Sequence, residues 1–182
     1  MSQTLTMGLI AVACLVPACL VPHREDARLD ATQWAATALA VLGAGVWALA
    51  QLAGTWQSGL GVALWVTVAV TLATFAMLSW SVRESWRLGI LLFPYMAAMG
   101  LLALFAPADV MADGAMDGWV MVHIAASVLT YGLVTIAAVA SLAAFLQDRA
   151  LKAKRPTKLT HRLPSVADGD ELTVRLLGWG EG

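Results

Sequence analysis

Charge is scarce in this sequence: only 13% of its 182 residues are Asp, Glu, Lys or Arg. A soluble domain carries nearer a quarter, so an ordinary water-facing surface is excluded. Cysteine is almost missing. The two that occur, Cys14 and Cys19, stand five apart in one apolar run, where on a helix they point in different directions and do not pair. No CxxC spacing occurs, which excludes a thioredoxin-like or zinc-ribbon site. The opening "MSQTLTMGLIA" has no Lys or Arg, so the basic region of a secretory signal is absent. Although "VPAC" at Val16–Cys19 has a faint look of a lipoprotein cleavage box, this stretch reads as a retained first helix.

Apolar residues are what the chain has in quantity, 60% of the total, with a mean hydropathy of +0.76. They gather in five runs: Leu5–Val21, Ala31–Ala53, Leu60–Ser79, Leu88–Ala106 and Trp119–Leu146. Most are about 20 residues long, the length at which a helix crosses roughly 30 Å of hydrocarbon. The fold class is therefore all-α, a polytopic membrane bundle of about five transmembrane helices. The first run is the shortest and contains Pro17; the fifth is long enough to continue past the bilayer. Residues 1–148 make the bundle. Residues 149–182 make a basic tail and the start of a possible sixth helix, "LPSVADGDELTVRLLGWGEG".

The connections sort by charge. Arg24 and Arg28 separate runs one and two, Arg83 and Arg87 separate three and four, and six basic residues from Arg149 to Arg162 follow run five. The loops "GTWQS" and "PADVMADGAMD" hold no Lys or Arg. Under the positive-inside rule the N-terminus lies outside and the tail is cytoplasmic. The basic tail then serves topology and contact with anionic lipid, and no nucleic-acid partner is expected. Trp56 and Trp119 fall at outer edges and Trp34, Trp80 and Trp86 at inner ones, as interfacial anchors do. Trp47 and Trp65 lie deeper and are expected to pack between helices. Pro94 is expected to kink run four. Ala36, Ala40 and Ala44 mark a small-residue face suited to close helix contact.

His123, in "DGWVMVHIAASVLTYG", is the unusual residue, because a titratable ring in an apolar span needs a partner, a cavity or a metal. It lies about 6 Å along the helix axis from Trp119, near the outer membrane face. Ser127, Thr130 and Ser141 share its face and Tyr131 sits at the margin, a stripe expected to face the bundle interior or a wet cavity. Three readings stay open from spacing alone: a histidine bonded to a neighbouring helix, a proton or ion relay, and an axial ligand of a metal centre such as haem. The five runs contain no carboxylate, which counts against a relay. No further His or Cys lies close enough in sequence to make a zinc site, and His23 and His161 fall in the basic connections.

"WVMVHIAASVLTYG", followed by "ASLAAFLQDRALKAK" and the "LPS" at Leu163–Ser165, resembles the cytochrome c assembly family of CcsA- and CcmC-type proteins. The resemblance covers about residues 118–178. Neither the family's WWD signature nor the second histidine of a later helix is present, so the YpjD-like branch is the closer fit. Relative to the family, the chain is expected to be truncated at its C-terminus. What the resemblance implies is a multi-pass inner-membrane assembly factor, not an enzyme, that binds or conveys haem at the outer face. It implies His123 as the metal ligand, with Trp119 and Tyr131 as cofactor-binding neighbours. The implied partners are haem, the lipid bilayer and other cytochrome c assembly proteins. Two readings from other classes are a small transporter subunit and a membrane scaffold without haem.

Overall fold

The computed structural model describes residues 2–21, 31–53, 59–82, 85–106 and 118–152. They form five helices: α1 (Ser2–Leu20), α2 (Ala31–Leu52), α3 (Leu60–Ser81), α4 (Gly89–Phe105) and α5 (Gly118–Lys152), with a 3-10 turn at Ser85–Leu88 leading into α4. Each helix coincides with an apolar run to within six residues at either end. The chain is therefore an all-helical membrane protein. Four of the helical spans are long and apolar enough to cross a membrane, and α1 contributes a shorter apolar helix, Thr4–Leu20. The 22 residues of α2 and of α3 span about 33 Å, whereas the 35 of α5 span about 52 Å. The expectation of an overlong fifth helix holds. Helix assignment runs unbroken through Pro17 and Pro94.

Helices α1 to α4 pack as an antiparallel ring. Each touches its neighbours in the order α1, α2, α3, α4, and α4 closes against α1. At one end Gly8 of α1 abuts Leu104 of α4, and Gly61 of α3 lies against Ala103 and Ala106. At the other end Trp34 of α2 and Trp80 of α3 meet edge to face, 5.8 Å between ring centres. Helix α5 stands outside this ring, packed mainly on α3.

Lipid is as apolar as leucine, so contact here rests on close fit between side chains. Small residues supply it. Ala36, Ala40, Ala44 and Ala48 are all buried along α2, in agreement with the small-residue face read from sequence. Gly43 lies directly over Cys14 of α1, with no room for a β-carbon. Larger side chains fill the ring's interior. Trp65, Leu72 and Phe75 of α3 meet Leu15 of α1 and Leu92 and Met96 of α4 in one core. Phe75 and Phe93 pack edge to face at 5.6 Å.

The tryptophans divide. Trp65 is buried and Trp47 packs against the core, as expected, and Trp80 is 82% exposed at its helix end. Trp86 departs from its expected role as an exposed anchor, being only 4% exposed. The 3-10 turn folds its ring inward, and the Arg87 guanidinium sits 5.6 Å from the ring centre. Trp56 lies outside the described residues.

Candidate functional site

The position of His123 follows from how α5 docks. Among the described side chains of α5, Gly132 is the buried residue nearest the N-terminus, and the buried set continues through Ile136, Val139, Ala140 and Ala143. These recur at helical spacing and form the face turned to α3. At the crossing, a β-carbon on Gly132 would stand 3.3 Å from Thr71 Oγ1, so only glycine allows this approach without adjustment. Thr71 is midway along α3. His123 lies nine residues above Gly132, about 13 Å along the axis, close to the edge of a hydrocarbon core whose half-thickness is about 15 Å.

At about 100° per residue, His123 points nearly opposite the α3-facing side. It is exposed, as are Thr130, Ser141 and nearly all of the described α5 side chains above Gly132. The expectation that the stripe faces the bundle interior or a wet cavity is therefore corrected: among the described residues it faces neither. The Ser127 and Thr130 hydroxyls of the stripe manage without a neighbouring helix by bonding within α5, as does Thr135 outside it. Ser127 donates to the His123 carbonyl, Thr130 to that of Ala126 and Thr135 to that of Tyr131, each at 2.8 Å. Such bonds to the residue four positions back satisfy the hydroxyl locally, so lipid contact costs little.

Trp119 and Tyr131 share the exposed arm of α5, at 77% and 65% exposure. Trp119 stands one turn above His123 and about 40° round the helix; Tyr131 lies about 12 Å below and about 80° round. The structure thus brings the three sequence-derived site residues onto one arm without enclosing them. His23 and His161 lie outside the described residues, leaving His123 as the single imidazole among them. Also among the described residues, no three His, Cys, Asp or Glu side chains come together.

The donor chemistry suits haem iron, which accepts a neutral imidazole as axial ligand. The neighbouring Ala126, Ser127 and Thr130 side chains are small, so a flat ring meets little obstruction beside the imidazole. The arm offers one imidazole donor and one exposed helix face, without a second ligand among the described residues.

A second feature lies at the opposite end, where sequence reasoning placed nothing. Gln33, Trp34, Thr37, Phe75, Ser79 and Trp86 line a small, partly open cleft. The Ser79 hydroxyl is buried there with no hydrogen-bond partner among the described residues. These six residues come from two helices, α2 and α3, and the 3-10 turn, and no spacing pattern in the sequence joins them.

Comparison with known proteins points one way. The pattern of the family described as Cytochrome C assembly protein matches residues 31–181, which takes in α2 to α5. The chain is 45% identical over 189 residues to an Azospirillum brasilense protein described as "Uncharacterized 28.8 kDa protein in nifR3-like 5'region". That similarity covers 100% of this chain and 70% of the relative. No solved structure matches the chain.

Proposed function

The chain belongs to the cytochrome c assembly protein family, and on that premise we propose that it holds haem as cargo at the outer boundary of the cell's inner membrane. The observation that carries the reading is the position of His123. It is a membrane-boundary imidazole, exposed, on the helix arm where the family match and the sequence resemblance coincide. The N-terminus and the His123 arm face outward and the basic end of α5, with Arg149 and Lys152, faces the cytoplasm, as the charge sorting of the connections supports.

In this reading the His123 imidazole donates a ring-nitrogen lone pair to the haem iron. The indole of Trp119 and the phenol of Tyr131 would flank the cargo from the same helix arm. Ala126 and Thr130, being small, would leave the helix surface beside His123 open to an apolar ring. The depth of His123 lets the carboxylates of the cargo remain in water while the apolar disc stays against the bilayer edge. No side chain of this chain is assigned a bond-making step, and transfer of the cargo to an apocytochrome rests with other assembly proteins. The test is a haem titration of the detergent-purified protein. A saturable Soret band supports the reading, and its absence at micromolar haem overturns it in favour of a scaffold or transporter subunit.

A further inference from the structure

We propose that an ordered water molecule is bound at the inner mouth of the α1–α4 ring, held by the Ser79 hydroxyl of α3 and bridging to Thr37 and Gln33 of α2. The site is separate from His123, and the inference does not depend on the haem-holding reading. Its starting point is a contrast within α3. Thr67, Thr74 and Ser81 each donate to the carbonyl four residues back, those of Ala63, Val70 and Met77, at 2.8, 2.8 and 3.1 Å. Ser79 does not. Its hydroxyl makes no such bond to the Phe75 carbonyl and none to any other described residue, although Ser79 is only 7% exposed and forms part of the cleft wall. A buried hydroxyl without a partner has given up its hydration for nothing, so the orphaned oxygen marks where a partner belongs.

The surroundings decide which partner fits. Thr37 and Gln33 line the same cleft from α2 and are buried like Ser79, while Phe75, Trp86 and Phe93 make its other walls aromatic. Hydroxyls and amides both donate and accept, so a molecule that links them has to do both. Water does, and a small cleft admits it without moving the walls. The polar groups are what keep it there, since an apolar cavity of similar size stays dry. No Asp, Glu, Lys or Arg lines the cleft among the described residues, so an ion would meet no opposite charge. Thr71 is the other α3 hydroxyl without a partner, but it is packed against Gly132 and borders no cleft. Thr37 lies six residues into α2, about 9 Å along its axis, which places the bridge inside the apolar span. There it adds a polar tie between α2 and α3 beneath the Trp34–Trp80 contact.

The experiment uses the full chain in nanodiscs, equilibrated with heavy-oxygen water and given a brief X-ray pulse, with oxygen uptake at each residue read by mass spectrometry. Radiolysis converts a bound water into a hydroxyl radical, which oxidises the side chains beside it even where bulk solvent does not reach. Trp86 and Trp65 are the paired reporters, the same side chain at 4% and 2% exposure, one on the cleft and the other in the core. The expected result is that Trp86 is oxidised several-fold faster than Trp65. In Ser79→Ala the Trp86 rate should fall to near that of Trp65, although the substitution enlarges the cleft. Thr37→Val, which keeps the shape of the side chain and loses its hydroxyl, should lower the Trp86 rate at least twofold. An unchanged Trp65 rate shows that the ring is intact in each variant; where Ser79→Ala raises it, Thr37→Val carries the comparison. Equal rates at Trp86 and Trp65 in the parent, or a Trp86 rate in an intact variant equal to the parent's, overturns the water site and leaves the haem-holding reading untouched.

Discussion

Helix α5 is held to the bundle through a narrow contact, and Gly132 is its tightest point. Replacing Gly132 by alanine brings two opposed effects of known size. Alanine favours the helix over glycine by about 1 kcal/mol. Its β-carbon, however, would stand 3.3 Å from Thr71 Oγ1 and 3.5 Å from Thr71 Cα, which requires α3 and α5 to part by a few tenths of an ångström. Thr71 is fully buried, so it has nowhere to turn. The two effects are expected to cancel, leaving Gly132→Ala within about 1 kcal/mol of the parent. Removing the obstructing hydroxyl should release the helix gain. Introduced into Thr71→Ala, the same Gly132→Ala change is expected to stabilise by about 1 kcal/mol, a coupling that a double-mutant cycle reads directly. Gly132→Leu overfills the crossing and should cost about 1–3 kcal/mol. The assay is unfolding in mixed micelles on titration with sodium dodecyl sulfate, followed by tryptophan fluorescence. Equal stability of the leucine and alanine variants, with no coupling to Thr71, would show that α5 does not dock on α3 in this register.

Three further outcomes are expected. Trp65 is buried against Gly100, whose added β-carbon would lie 3.2 Å from the indole, so Trp65→Ala should destabilise by roughly 3 kcal/mol in the same assay. Ser127→Ala should change stability by less than about 0.5 kcal/mol, because its hydroxyl bonds only to a carbonyl of its own helix; a larger loss would reveal a neighbour on that face. With Cys14 and Cys19 replaced, an impermeant thiol reagent added outside cells should label Gln57→Cys and Asp113→Cys but not Thr157→Cys. External labelling of Thr157→Cys would reverse the orientation and move His123 to the cytoplasmic side.

The helices were legible because most of the apolar runs have the length the bilayer demands, and the alanine face of α2 because its spacing is uninterrupted. The environment of His123 was only half legible. Periodicity correctly grouped His123 with Thr130 and Ser141, but it does not say which side of a helix meets a neighbour. In α5 the deciding residue was Gly132, whose missing side chain, with Ile136 and Val139 below it, drew the opposite face onto α3. Polarity alone suggested burial, whereas internal hydroxyl-to-carbonyl bonds made exposure inexpensive. Trp86 was misplaced for a related reason. The 3-10 turn that folds its ring inward follows from local backbone packing, which the boundaries of apolar runs do not reveal. The cleft at Ser79 and Thr37 was illegible, since single polar residues in separate apolar runs announce no common site.

Ligation of haem by His123 is the claim on which the functional account depends, and the absorption spectrum of haem-titrated His123→Ala tests it most directly. Alanine suits a membrane helix, so the variant should insert and purify as the parent does, while His123→Met, which keeps an iron-binding sulfur, should give a shifted spectrum. The account predicts that His123→Ala loses most of the Soret absorbance, with the affinity for haem falling at least tenfold. A His123→Ala spectrum and affinity equal to the parent's would contradict it.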